Sequence, residues 1–521
     1  MTDDQRLVTD YLYVLRASSP NLRPTTYYLL LTTCRLSLVT SLFVYFRPMN
    51  EENKKILTFL MAGGIVLIIL VALSSGAYQG GDTFQHFMIA KWSFVHPSLL
   101  FDHWGKPFFT TVIAPFAQLG YTAVTIENTV LGLVSAWYTY LIAQHLGHRL
   151  AWPAALMMIC APIYFVHLNS AMTEILFSTI IVVSTYWIMK ERWIAGAILL
   201  SFLPFVRTEG FVLIPFISIW FLMKRRWFAF VLLGAGTVVY SIVGSMLFYN
   251  DILWVFHQNP YKVTVDFYGS GNWHHFISTN YVTWGVPMFI ALCCGTFWIF
   301  RTLKRHAGSL EENIRKEWWL VFVPSFVFLL FHSLAWWLGK LASVGEIRVL
   351  AALMPLYAVT ANRGLNWMNE RFLDNKTKRN RFISFYSIAV LLMPFLFFPM
   401  PMRRMRGQAV MHEVTTWLTA NRSDYGRVWY SDPQIAFDTE SDPFIQGDIR
   451  PYFPNDSTPS QRLKSNDIYI WDAHFAANEG RTPIESFNDT TFFKLEKVFL
   501  PEKPFETFDH NNYEVKVYRR R

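Results

Sequence analysis

Apolar residues in this chain gather into long blocks, without the strict alternation of exposed strands or the narrow stripe of surface helices. A hydrocarbon core of about 30 Å takes about 20 such residues in a helix, and on that criterion the pattern predicts about eleven spans. They run at 56–75, 122–145, 151–167, 171–189, 193–206, 210–223, 227–248, 283–300, 318–338, 348–362 and 382–400. The polar joints set the orientation. Lys190, Arg192, Lys224, Arg225 and Arg226 fill two tight turns, and segments 301–316 and 363–381 carry further Lys and Arg. All fall on one side if the first block runs from inside to outside, and the basic side of a membrane protein is the cytoplasmic one. The opposite loops, poor in basic residues, therefore face the extracytoplasmic side. Residues 26–46 are apolar apart from Arg35, as in a twelfth span or an interfacial helix. Met49 opens the polar run Met-Asn-Glu-Glu-Asn-Lys-Lys just before the first clear block, so residues 1–48 read as an N-terminal extension unnecessary for function.

Past residue 400 the rhythm changes. Arg427-Val-Trp-Tyr, Asp467-Ile-Tyr-Ile-Trp and Tyr513-Glu-Val-Lys-Val-Tyr are separated by Pro, Asn, Asp and Gly, as short strands between turns are. The expected fold is an α-helical polytopic membrane domain over 49–400, followed by a small extracytoplasmic α/β domain over 401–521. Arg403, Arg404 and Arg406 open that domain on the side where basic residues are scarce. Either they grip anionic headgroups or a donor phosphate, or the last span is miscounted.

Composition agrees with lipid as the main solvent. Charged residues make up 16% of the 521, against ~25% in soluble domains. The formal charge of +9 is spread in short runs between apolar blocks, which fits membrane orientation and argues against a nucleic-acid partner. Cys34, Cys160, Cys293 and Cys294 all lie in apolar stretches. They supply no disulfide framework, and no Cys/His spacing resembles a zinc site.

Ionisable groups at membrane depth cost ~2.5–3.5 kcal/mol or more, so their recurrence marks a candidate site. The first outside loop is the richest. It reads Gly80-Gly81-Asp82-Thr83-Phe84-Gln85-His86, then Lys91 and His96, then Asp102-His103-Trp104-Gly105-Lys106. Asp82 and His86 stand four apart and share a face if a helix begins there. Asp82 is read either as the cap of that helix or as a catalytic carboxylate. Glu174, Arg207, Glu209, Glu346 and Arg348 sit at other outer block ends. Arg207 and Arg348 beside carboxylates suit an anionic lipid headgroup, since guanidinium holds phosphate oxygens bidentately. The segment 107–120 is an interfacial helix or part of a span. The aromatic loop 249–281, with Trp254, Trp273, His274 and His275, is a candidate sugar or lipid contact.

Gly-Gly-Asp82, Arg207-x-Glu209-Gly210, Gly-x-x-Arg348 with a following Pro, and the outside C-terminal domain together resemble the GT-C superfamily. That superfamily comprises polytopic glycosyltransferases, among them protein O-mannosyltransferases and dolichol-linked mannosyltransferases, with bacterial relatives. The resemblance implies an inverting transfer of a sugar, mannose in many relatives, from a polyprenyl-phosphate-linked donor. The acceptor would be a glycan, lipid or protein hydroxyl, handled on the outer face of a bacterial inner membrane. It implies Asp82 as general base. Many relatives carry two adjacent acids, but Thr83 follows Asp82 here, which leaves Asp102 as the candidate second acid. Arg207, Arg348, Lys106 and His103 become the expected donor-phosphate contacts, and His86, Glu174, Glu209 and Glu346 the expected substrate contacts. The resemblance assigns no metal ligand and leaves a divalent cation open. The alternative reading is a secondary transporter of a small anionic or sugar substrate. Such a protein should show repeated, matching broken spans, and none is visible in the sequence.

Overall fold

The computed structural model of the protein describes residues 50–258, 269–305, 310–341, 343–452, 458–507 and 511–521. The expected N-terminal extension and the apolar stretch 26–46 lie outside them. The chain divides into two compact units, 1–59 and 60–521. Glu51 and Glu52 sit in the first turn of α1 (Glu51–Ala72), where the helix dipole favours acids.

Among the described residues five helices are long and apolar enough to cross a membrane. They are α1, Trp227–Tyr249, Val286–Arg305, Glu312–Trp337 and Lys376–Phe397, and they make this an integral membrane protein. Other expected spans are shorter. Thr173–Met189 has 17 residues and Gly210–Met223 has 14, lengths of about 26 and 21 Å at 1.5 Å per residue. Two expected blocks are built differently. Block 151–167 is split into Trp152–Ile159 and Pro162–His167, because Pro162 lacks the N–H that would continue the first helix. Block 348–362 starts as a 3-10 turn, Ile347–Leu353, and becomes an α-helix only at Met354.

For the site, the relevant helices are α2 (Gly80–Trp92), α3 (Pro107–Ala117), α4 (Tyr121–His145), α5 (Thr173–Met189), α6 (Gly210–Met223), α7 (Val286–Arg305), α8 (Glu312–Trp337) and α9 (Met354–Arg371). α7 and α9 cross at close quarters. A Cβ on Gly295 would overlap the carbonyl of Thr360, and one on Gly364 that of Ala291, the small-residue contact that lets membrane helices approach. A buried ion pair fixes the end of the bundle remote from residue 82. Arg363 on α9 donates Nε at 3.0 Å and Nη2 at 2.6 Å to Glu317 on α8. His148, after α4, lies 3.3 Å from the same carboxylate.

Residues beyond 405 form α10 (Arg406–Ala420) and a five-stranded sheet of order β2-β1-β3-β5-β4. The strands are β1 (Val428–Tyr430), β2 (Ile449–Pro451), β3 (Ile468–Asp472), β4 (Phe493–Phe499) and β5 (Val515–Arg520). β1 is parallel to β2 and β3, whereas β5 is antiparallel to β3 and β4. The three expected strand segments are β1, β3 and β5. The sheet region packs against the helical part through α2. Gln408 on α10 donates to the carbonyl of Ala77 at 2.7 Å, Phe437 stacks on Phe84 at 4.3 Å, and Asp442 lies 2.7 Å from His96.

Candidate active site

Gln79 precedes α2 in the left-handed conformation, φ 53° and ψ 57°, and no side chain caps the helix. The turn delivers Gly80, Gly81 and Asp82 into a crowded junction. A Cβ on Gly80 would overlap the Gln408 side chain, and one on Gly81 the ring of Phe475. Phe475 is itself held by Asp472. That buried carboxylate accepts the backbone N–H groups of His474, Phe475 and Ala476 at 3.0, 2.5 and 3.2 Å. Glycine at 80 and 81 therefore serves close approach, so that the sheet region forms a wall one residue from Asp82.

The two readings of Asp82 separate here. Its carboxylate caps no helix; it receives Arg348 Nη2 at 2.5 Å from 266 residues away. Arg348 stands on the 3-10 turn after Gly345, whose φ of 67° suits glycine. Asp82 lies deep among protein atoms yet its side chain is 37% exposed, so it faces a recess. Burial alone would raise its pKa. The charge and hydrogen bond of Arg348, helped by His86 and Arg207, outweigh burial and hold the carboxyl below the usual range.

A second cation is bound in the same region. Arg207 joins Glu174 at 2.6 Å, Glu209 at 2.7 Å and the Thr173 hydroxyl at 3.0 Å. Lys106, φ 65° at the start of α3, reaches the Thr208 hydroxyl at 3.1 Å. Burial pushes its ammonium down to about 8, with Arg207 also lowering it and Glu209 and Asp102 opposing. His86 lies one helical turn after Asp82, stacked on Trp104 at 4.6 Å. Burial drives its imidazole to about 4, so it is neutral near pH 7. Glu346 accepts from Gln79 at 3.4 Å. Burial raises its carboxyl against the pull of Arg348, with Asp82 and Glu174 adding to the rise.

Asp82, His86, Lys106, Glu174, Arg207, Glu209, Glu346 and Arg348 are thus one electrostatically connected group. Asp102 and His103 sit at its border. Asp102 accepts the Gly105 N–H at 2.5 Å and closes the turn that presents Lys106. His103 is bound to the Val255 carbonyl at 2.9 Å. Trp254 is buried and stacked on Tyr249 at 4.5 Å, whereas Trp273 is exposed.

Two histidines join the group without having been singled out. His332 on α8 lies 3.9 Å from Glu209, and His167 is bound to the Ile163 carbonyl while its charge field reaches Glu174. His332 is the sole ionisable residue of block 318–338, a legible signal at membrane depth. Arg207 Nε, Arg348 Nε, His86 Nδ1, His167 Nε2 and His332 Nε2 are buried with no hydrogen-bond partner among the described residues. Orphaned donors of this kind concentrate where a ligand or water completes the network. No three His, Cys, Asp or Glu side chains converge as metal ligands among the described residues.

Part of the sequence and the fold have known counterparts. A model of glycosyltransferase family 87 matches residues 106–311, a stretch that contains Lys106, Glu174, Arg207 and Glu209. The structure is similar to crystal structures of ArnT from Cupriavidus metallidurans, one bound to undecaprenyl phosphate and one in the apo state. Both align with a TM-score of 0.54 over 88% of this chain and 97% of that chain, at 9% and 11% identity respectively. The fold is similar to that of ArnT. A search of curated proteins finds no match.

Proposed function

We propose that this protein is an inverting glycosyltransferase that moves a sugar from a polyprenyl-phosphate-linked donor to an acceptor hydroxyl. The observation that carries the reading is the Asp82–Arg348 pair in a recess with Arg207 and Lys106 alongside. The family 87 match over 106–311 and the ArnT-like fold support it. ArnT has been crystallised with undecaprenyl phosphate, and the proposed donor lipid here is of that class.

In this mechanism Asp82 is the general base. An alcohol is a weak nucleophile, so a carboxylate in hydrogen-bond reach takes its proton as the new C–O bond forms. The sugar–phosphate C–O bond breaks on the opposite face, the anomeric centre inverts, and the polyprenyl phosphate leaves with the bonding pair. Arg348, Arg207 and Lys106 would hold the phosphate as its charge grows, which is where fixed cations accelerate such a step. His86, Glu174, Glu209 and Glu346 would line the sugar and acceptor subsites. Asp102, committed to the Gly105 N–H, would act by shaping the Lys106 turn, and His103 by anchoring the same loop.

The wider assignment belongs to the same proposal. The helices would make about eleven crossings, counting the short and broken ones, over a catalytic domain spanning 49–400. The recess and the 401–521 domain would face outward across a bacterial inner membrane. Mannose is the proposed sugar, carried over from the resemblance alone.

The test is Asp82→Asn in full-length purified protein, assayed for sugar transfer from a labelled polyprenyl-phosphate donor. Loss of a general base costs ~10²–10⁴ in rate; donor binding should persist. Wild-type turnover in the variant would remove Asp82 from the chemistry. A polyprenyl-phosphate lipid found by mass spectrometry in the purified protein would identify the donor class independently.

A further inference from the structure

At the far end of the α7–α9 pair lies a second cationic site. Trp298, Arg301, Thr302 and Arg305 recur on α7 at the i, i+3, i+4, i+7 spacing that places residues on one helix face. Trp367 and Arg371, four apart on α9, complete the lining of a cavity of about 180 Å³. α9 has 18 residues, so its length of about 27 Å separates this cavity from the Arg348 turn at its other end.

The surrounding charges show what is unusual about it. Some of the basic residues in the same joints and helix ends have carboxylate partners. Arg363, one helical turn deeper than Trp367, is bound to Glu317 and lies over the Trp298 ring at 4.6 Å. Arg315 and Lys224 both pair with Glu312, at 2.8 and 2.5 Å. Glu370, adjacent to Arg371, lies 3.6 Å from Arg149. No carboxylate among the described residues pairs with Arg301, Arg305 or Arg371. Three guanidiniums around one cavity, with two indoles in its wall, leave a concentrated positive charge at a helix end. Basic pockets between membrane helices hold anionic headgroups, and guanidinium matches phosphate oxygens two at a time.

We propose that Arg301, Arg305 and Arg371 form a binding site for a phosphate monoester or diester, supplied by the headgroup of an anionic membrane lipid. The site is separate from the Asp82 recess and does not depend on the glycosyltransferase reading. The indoles would pack on the glycerol and upper acyl region, as Trp does at membrane interfaces. A soluble phosphate ester has the same chemistry, and the experiment separates the two sources.

The full-length protein in neutral detergent is titrated with phosphatidylglycerol or phosphatidylcholine and read by native mass spectrometry. The triple variant Arg301→Gln/Arg305→Gln/Arg371→Gln is compared with wild type. At about fivefold per arginine near the surface, the loss of phosphatidylglycerol affinity should be on the order of 100-fold, with phosphatidylcholine unaffected. Glycerol phosphate that displaces the lipid from wild type would assign a soluble ester as an alternative ligand of the same site; failure to displace assigns the lipid. A second variant, Lys376→Gln/Lys378→Gln/Arg381→Gln, removes equal charge at the start of the next helix. Equal losses in both variants, or no loss in the first, overturn the site. If the first variant does not fold, single Arg301→Gln and Arg371→Gln variants should each lose about fivefold, and unchanged affinity in both has the same consequence.

Discussion

Lys106 offers the sharpest separation of function from stability. Its side chain is buried, and burial moves the ammonium from an ordinary 10.5 down to about 8. At ~1.4 kcal/mol per pKa unit, the folded protein disfavours the charged form by about 3 kcal/mol. The sign of the linkage follows. Below pH 8 the lysine is charged in both states and the full penalty is present. As pH rises from 8 toward 10.5 the folded state loses its proton first and the penalty disappears. Lys106→Met should therefore raise unfolding stability near pH 7 by up to about 3 kcal/mol, an advantage that vanishes near pH 10.5. Activity should move the other way. If the ammonium holds the donor phosphate, kcat/KM of wild type falls about tenfold per pH unit above pH 8, since this parameter reports the free enzyme. Lys106→Arg should abolish that alkaline limb, because guanidinium stays protonated; Lys106→Met should be slow at every pH. The assay is donor-dependent transfer across pH 6–10, paired with thermal unfolding of the same samples. An alkaline limb that survives unchanged in Lys106→Arg would refute the assignment, as would a Lys106→Met protein less stable than wild type at pH 7.

Gly81→Ala places a methyl group in the Phe475 ring and should cost on the order of 10² in kcat by displacing Asp82. Adding Phe475→Leu should restore much of it, and a double variant no faster than Gly81→Ala would refute the steric account. Glu317→Gln leaves Arg363 buried without its counter-ion and should destabilise by ~3–5 kcal/mol, read by thermal unfolding. Because the pair lies remote from residue 82, the folded fraction should keep its kcat. Arg348→Gln removes the cation that most lowers the Asp82 carboxyl, so the acid limb of residual kcat/KM should move to higher pH. An acid limb that stays in place would separate Arg348 from the base.

Much of the membrane architecture is legible because lipid demands uninterrupted apolar helices, and blocks such as 56–75 and 382–400 are α1 and Lys376–Phe397 with shifted ends. Breaks within blocks are less legible. Pro162 announces the split of 151–167, but the 3-10 turn Ile347–Leu353 has no such marker, since Ile-Arg-Val-Leu-Ala-Ala-Leu reads equally as α-helix. In the C-terminal region β1, β3 and β5 carry apolar β-formers, all or most of them buried. β4 escaped because Phe493-Lys-Leu-Glu-Lys-Val-Phe exposes most of its length, and β2 because three residues carry no period. At the site, residue types and block ends single out charged residues that the fold brings together. Which carboxylate meets which guanidinium is decided by tertiary packing, and Arg348 reaches Asp82 across 266 positions. His332 shows the opposite case, a lone ionisable group in an apolar block that carries a legible signal at membrane depth yet is absent from the expected site residues.

The charge balance around Asp82 connects the resting structure to the proposed reaction. Arg207 is divided between Glu174 and Glu209, and Arg348 is paired with Asp82. An arriving phosphate thus meets guanidiniums already neutralised by carboxylates. Arg348 has the donors to accept it, because its Nε is buried without a partner and guanidinium carries five N–H groups. A phosphate that draws the Arg348 charge toward itself weakens the strongest influence holding the Asp82 carboxyl low. The carboxylate then gains basicity as the donor binds, and so becomes a better acceptor for the hydroxyl proton only in the ternary complex. In the empty recess the same pair keeps Asp82 ionised but weakly basic, which limits unproductive proton abstraction, from water for example. On the proposed function, Arg348 therefore couples donor binding to the strength of the base.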